Sequence, residues 1–179
     1  MANIVKENKM NYLKKLFLPV VLFLICGQAV AQLKKPPADI SAAMLIKVAD
    51  FEKKISDGRD VSIYVLGAPE VAAELRKGIG RSIGKSVLRS VEAGSDLPAT
   101  TPSILYVDAS ARVSEVIGYT RRNKILSATG NPDLVGKGIT LGFGVGKDGK
   151  MKILLNSTSS GEEGLEWNPA IFKIAKMVQ

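Results

Sequence analysis

Histidine is absent from all 179 residues, and the single cysteine, Cys26, stands near the N-terminus. These absences exclude Ser-His-Asp and Cys-His catalytic sets and any histidine-based metal site. No catalytic residue, metal or cofactor is therefore expected. Aromatic residues make up 6% of the chain, and none interleaves the basic segment Arg76, Lys77, Arg81, Lys85, Arg89. Nucleic-acid binding by base stacking has no support there. That segment reads as a solvated connector, with an acidic partner surface or lipid headgroups as the other reading. The longest apolar run, Leu16 to Gly27, is about twelve residues, short of the roughly 20 a membrane-spanning helix needs.

That short run belongs to an export signal over residues 1–31. Lys6, Lys9, Lys14 and Lys15 form a basic start, and Ala29-Val30-Ala31 is a small-x-small cleavage site before Gln32. Cys26 follows Phe23-Leu24-Ile25, which lacks the small residue of a lipoprotein signal, so it reads as part of the apolar run. Removing the leader's four Lys and one Glu lowers the formal charge from +8 to +5. The mature chain has no cysteine, and no disulfide can stabilise it in an oxidising compartment. Residues 32–38, with Lys34-Lys35-Pro36-Pro37, read as a mobile extended linker.

From residue 39 to 179 the pattern is that of one α/β domain. Asp39 can cap a helix whose expected buried stripe is Ile40, Met44, Val48, Phe51 and Ile55. Val61–Leu66 is a buried strand, Pro69 starts a helix with Val71, Ala72 and Leu75 inward, and Val87–Val91 is a short edge strand. Glu92–Pro102 reads as loop, Ser103–Val107 as a second buried strand, and Ser110 as the cap of a helix closing on Arg121-Arg122. Ile125–Thr129 is a further strand. Ile139, Leu141, Phe143 and Val145 then alternate with small residues, and Met151, Ile153 and Leu155 repeat the period after Asp148-Gly149. The pattern selects a hairpin with a three-residue loop, a left-handed Gly149, and Val145 opposite Met151, Phe143 opposite Ile153, Leu141 opposite Leu155. Asn168-Pro169 opens a final helix, with Trp167 and Phe172 at the spacing of a hydrophobic staple. The expected architecture is a mostly parallel mixed sheet with helices on both faces, a C-terminal hairpin and a final helix.

Two nucleotide-like motifs fail on context. Gly144 to Gly149 fits G-x-G-x-x-G, yet runs into a hairpin turn rather than a helix. Gly84-Lys85-Ser86 lacks the earlier glycine of a P-loop, since Ile79 stands there. Glu162-Glu163 reads as solvated loop. Ligands in open α/β sheets bind beyond the carboxyl ends of the strands, which makes Gly67, Ala68, Asp108, Ser110, Thr129 and Asn131 ligand-binding candidates. Capping and turn formation account for the same residue types. Gly142, Gly144 and Gly146 leave one strand face bare, to be covered by the domain's own helix or by a partner. Trp167 is a staple residue or a partner anchor.

Ile125 to Val178 resembles the C-terminal half of the YfiR-like family in its strand, glycine-containing turn, hairpin ending in Asn156, Gly164-Leu165 and final helix. SIYVLGAPEVAAELRK is similar to the family's first strand and helix, and SAAMLIKVADFEKKI to its leading helix. The chain departs from the family in lacking cysteine pairs and the aromatic-Pro pair near the first helix exit. The resemblance implies a non-enzymatic periplasmic inhibitor that binds the sensor region of a membrane-bound diguanylate cyclase, restraining cyclic di-GMP and attachment. A homodimer is the other partner considered. The alternative function is a periplasmic small-ligand binder using the strand-end cleft.

Overall fold

A computed structural model describes residues 33–109 and 112–179; the export signal and Ser110 lie outside the described residues. Helix α1 spans Ala38–Ala49, strand β1 Asp60–Leu66, helix α2 Pro69–Arg76, β2 Ser82–Ile83, β3 Ser86–Gly94 and β4 Ile104–Val107. Helix α3 (Val113–Asn123), β5 (Leu126–Thr129), a 3-10 turn at Pro132–Leu134, β6 (Leu141–Val145) and β7 (Met151–Asn156) follow. Helix α4 (Ser157–Glu162), a second 3-10 turn at Pro169–Lys173 and β8 (Ala175–Val178) complete the chain.

The eight strands form one sheet in the order β2-β3-β1-β4-β5-β6-β7-β8. β3, β1, β4, β5 and β6 run parallel, β2 and β7 are antiparallel to their inner neighbours, and β8 is parallel to β7. β4 and β5 are buried along their whole length, as strands covered on both faces must be. On one face α1 and α2 pack Leu45, Val48, Val71 and Leu75 against Ile63, Val65, Tyr106 and Phe143. On the other, α3 and the first 3-10 turn pack Val113, Val116 and Leu134 against Leu105 and Val107. The α/β architecture with helices on both faces is as the sequence led one to expect.

The hairpin register matches as well: Leu141 faces Leu155, Phe143 faces Ile153 and Val145 faces Met151. Gly146 donates its N–H to Lys150 O at 2.9 Å, which leaves a three-residue loop, and Gly149 sits at φ +71°. A side chain there would be strained, and glycine is not.

Four elements depart from expectation. α1 buries Ser41, Ala42, Leu45, Val48 and Ala49; of the expected stripe, Val48 and Ile55 are buried, Met44 and Phe51 pack half-buried against the core, and only Ile40, 38% exposed, falls outside it. Small residues on the buried stripe let α1 approach α2 closely, and that packing outranks side-chain size. Its N-cap is Pro37, with Asp39 in the first turn. The helix also stops at Ala49, because the Glu52 carboxylate accepts from Ile55 N at 2.8 Å and Glu166 N at 2.9 Å. β3 is no short edge strand: nine residues long, it lies between β2 and β1. The residues read as linker are tied down. Lys34 and Val145 exchange backbone hydrogen bonds at 2.9 and 2.8 Å, beyond the point where β5 ends.

The final helix is a single 3-10 turn. Asn168 caps it through Ala170 N at 3.0 Å with Pro169 in the first position, after which the chain turns into β8. The open edge of β7 needs backbone partners, and Ala175–Val178 supplies them. Phe172 is 52% exposed, so the staple with Trp167 does not form.

Glu163 is the largest surprise. Read as a solvated loop residue, it is 1% exposed. It accepts from Thr120 Oγ1 at 2.6 Å, Thr140 Oγ1 at 2.7 Å and Ser127 N at 3.0 Å, joining α3, β5 and the start of β6. Burial raises its carboxyl above the ordinary range, against the lowering effect of its Ser127, Thr120 and Thr140 donors. A carboxyl raised in the folded state contributes stability that is fully present below its unfolded pKa and lost as pH climbs through the folded value. Glu163→Gln keeps an acceptor for Ser127 N and removes the titration. Urea unfolding at pH 4 and pH 7 should show the variant gaining stability relative to wild type as pH rises. Parallel pH profiles would refute the assignment. Glu163→Ala, which orphans the Ser127 N–H, should cost about 1–3 kcal/mol.

Candidate functional site

The order of the parallel strands, with β1 between β3 and β4, creates a reversal of winding between β1 and β4. Such a switch point opens a crevice at the carboxyl ends of the strands. Gly67 and Ala68 leave β1 there, Asp108 leaves β4, and Thr129 and Asn131 end β5. Asp108 N donates to Leu66 O at 3.5 Å, which ties the first two exits together.

Asp108 is the centre of this edge. Its side chain is only 5% exposed. Oδ1 accepts from Gly130 N at 3.0 Å and Thr129 Oγ1 at 3.2 Å. Oδ2 accepts from the Tyr106 hydroxyl at 3.3 Å and meets Lys35 Nζ at 2.7 Å. Glu70, in the first turn of α2, reaches Lys35 at 3.7 Å. Burial acts to lower the Lys35 pKa, but the hydrogen bond and charge of Asp108, with Glu70 behind them, outweigh it and hold the ammonium above its usual range. Tyr106 is pushed well up by burial and by the Asp108 charge, so its phenol stays protonated.

Of the ligand-binding candidates, Asp108 and Thr129 are in direct contact. Gly67 and Ala68 line the β1 exit, with Ala68 buried and Gly67 exposed. Asn131 turns away: its side chain caps the first 3-10 turn through Asp133 N at 3.2 Å, and its N–H donates to Thr129 Oγ1 at 3.0 Å. Lys35 and Tyr106 were missed. Tyr106 lay in a run read only as core, and Lys35 in a stretch read as linker. No local pattern announces a lysine that returns to a strand end some seventy residues away.

The bare hairpin face is filled by the chain itself. A Cβ at Gly142 would collide with Val135, and one at Gly144 would lie 2.8 Å from Leu33 Cβ and 2.9 Å from Pro132 Cγ. Gly146 faces the Asp148 and Lys152 side chains of its own turn. Trp167 is half-buried against the core and donates its indole N–H to Ser160 Oγ at 2.7 Å. The basic connector is exposed, with Lys77 paired to Glu74 at 2.7 Å and Arg89 to Asp60 at 2.8 Å. Gly144→Val should therefore overpack the strap and turn, lowering stability by about 1–3 kcal/mol. An unchanged melting temperature would contradict this packing.

A different surface is left open. β8 is the outer edge of the sheet, and Phe172 (52% exposed), Ile174 (52%) and Met177 (41%) cluster on and before it. Lys173 and Lys176 are exposed between them.

This is an α/β domain with a doubly wound core and an apolar open edge, and no histidine or cysteine stands among the described residues to carry covalent chemistry. The chain belongs to the YfiR/HmsC-like family, whose model matches residues 38–176. That is a regulatory, non-catalytic family of periplasmic proteins. No curated protein matches the chain significantly. Among solved structures it is similar to a conserved domain protein from Vibrio cholerae O1 biovar El Tor strain N16961, at 12% identity and TM-score 0.51. It is also similar to an ABC domain in complex with L-Trp from Streptococcus pneumonia, at 11% identity and TM-score 0.50. Each likeness covers 80% of this chain and 60% of the other, and at such identity it is a likeness of fold alone.

Proposed function

We propose that this protein is an exported regulator that restrains a membrane-bound diguanylate cyclase by binding its sensor region through the open edge at β8. The observation that carries the reading is the run of exposed apolar side chains Phe172, Ile174 and Met177 on and just before β8, a strand paired with β7 on one side only among the described residues. Exposed edge strands pair readily with another chain and are normally blunted by charge, proline or bulges. β2, at the opposite edge, is only two residues long. β8 offers four residues of free backbone with apolar neighbours. An extended segment of a partner can add there, with main-chain bonds for affinity and side-chain pockets for selectivity. Lys173 and Lys176 favour a partner segment with acidic residues and oppose self-pairing of two β8 strands. The reading takes residues 1–31 as a cleaved export leader, in keeping with a family of periplasmic proteins. Mass spectrometry of the mature protein should find Gln32 as the first residue, and an intact Met1 or a lipidated Cys26 would exclude the assignment.

The partner reading has its own test. Phe172→Ser combined with Ile174→Lys alters only exposed side chains, whose replacement usually changes stability by less than about 0.5 kcal/mol. The variant should keep its melting temperature, lose co-purification with the membrane partner, and release cyclase output in cells. Undiminished partner capture by a folded variant would move the interface elsewhere.

The small-ligand reading draws on the crevice at Asp108, where one specific arrangement favours it.

A further inference from the structure

We propose that the carboxyl edge of the sheet carries a binding site for a primary ammonium group, centred on Asp108, which the chain fills with its own Lys35. The site is independent of the β8 edge and of the partner reading. Its fixed part comes from the sheet: Asp108 on the end of β4, Tyr106 within β4, and Thr129 and Gly130 at the end of β5. Thr129, Gly130 and Tyr106 give the carboxylate neutral donors at 3.0 to 3.3 Å. Among the described residues, Lys35 is the one cation paired with it, at 2.7 Å. Lys35 supplies a counter-charge to a carboxylate only 5% exposed, and removing one partner of such a buried pair is strongly destabilising.

That counter-charge arrives on a short strap preceding α1 rather than on the sheet. The strap Leu33–Lys35 is held by the Lys34–Val145 backbone pair and by Leu33 lying over Gly144. Lys35 itself keeps 46% of its side-chain surface exposed, whereas the groups that receive it belong to the core. The strap thus occupies the site as a tethered ligand does.

A second observation marks the place independently. Ser41, on α1, is fully buried, and its Oγ has no polar neighbour to satisfy it other than the Tyr106 hydroxyl. Around the missing side chain of Gly130 the nearest atoms are Tyr106 Oη, Ser41 Oγ at 3.1 Å and Asp108 Oδ1 at 3.5 Å. Oxygens converge there, behind the carboxylate that meets the ammonium. The chemistry selects a compact cation on an apolar stem: Asp108 Oδ2 lies 2.7 Å from the ammonium and Glu70 Oε1 adds a second negative charge at 3.7 Å. An ammonium satisfies this, and a quaternary cation without donors does not.

The test is rescue of a cavity of charge. Lys35→Met removes the ammonium and keeps most of the stem. n-Butylammonium at tens of millimolar should raise the melting temperature of this variant by about 2–4 °C. It should do so neither for wild type nor for Lys35→Met/Asp108→Asn, and tetramethylammonium at equal ionic strength should not replace it. Equal shifts in all three proteins, or none in Lys35→Met, would overturn the proposal. Should Lys35→Met fail to fold, wild type decides. n-Butylammonium competing for Asp108 should loosen the strap and speed hydrogen exchange at the Val145 amide several-fold relative to tetramethylammonium. Unchanged exchange would then overturn it. Loss of partner capture by the β8 variant is read separately and leaves this result untouched.

Discussion

The structure depends on strand β6 being flanked on both sides, fully by β7 and at its two ends by β5 and Lys34. β7 pairs with it from Leu141 to Val145. On the other side β5 reaches only to Gly142, and Lys34 takes over at Val145. No side chain could stand at Gly142 or Gly144 without displacing Val135, Pro132 or Leu33. The alternating glycines are therefore the condition for bringing the 3-10 turn and the strap down onto the sheet. Each glycine costs strand stability locally, and close packing of neighbouring backbone offsets that cost.

Two buried carboxylates sit at opposite ends of this framework and solve the same problem differently. Glu163, at the end where the parallel strands begin, is compensated by two threonine hydroxyls and one backbone N–H. All three are neutral, and burial dominates its ionisation. Asp108, where those strands end, has neutral donors too, but a cation completes it. The first arrangement binds four parts of the fold into a fixed unit. The second depends on the N-terminal strap, held by the Lys34–Val145 backbone pair, Leu33 over Gly144, a buried Pro36 and the Lys35 ion pairs. Rigidity at one end and a removable charge at the other make the carboxyl edge the responsive one.

Sequence patterning revealed what is set by near neighbours. Hairpin register followed from Leu141, Phe143 and Val145 against Met151, Ile153 and Leu155, because a one-residue slip would reverse every side chain. The β1 and β4 strands and the Pro69 helix start were legible for similar reasons. Failures occurred where distant partners decide. Glu163 follows a polar serine run and looks solvated until Thr120, Ser127 and Thr140 close over it. The Ile171–Val178 segment has acceptable helical spacing, yet the unpaired edge of β7 draws it into a strand. At the strand ends the residue types of Asp108 and Thr129 were enough to nominate them. Lys35 was invisible because its role is conferred by contacts some seventy residues away in sequence.

The two edges of the sheet differ in how they meet another chain. At one edge β2 pairs only Ser86 and Val87 of β3, and Arg81, Lys85 and Arg89 stand exposed around it, charges that discourage pairing there. β8 leaves the other edge with free backbone and three large apolar side chains, a combination that invites indiscriminate pairing. Lys173 and Lys176 moderate this. Like charges oppose the approach of a second β8, while an acidic strand is attracted. On the proposed reading the lysines act less on affinity than on choice of partner, since the charge that repels a second β8 is the charge that favours an acidic strand.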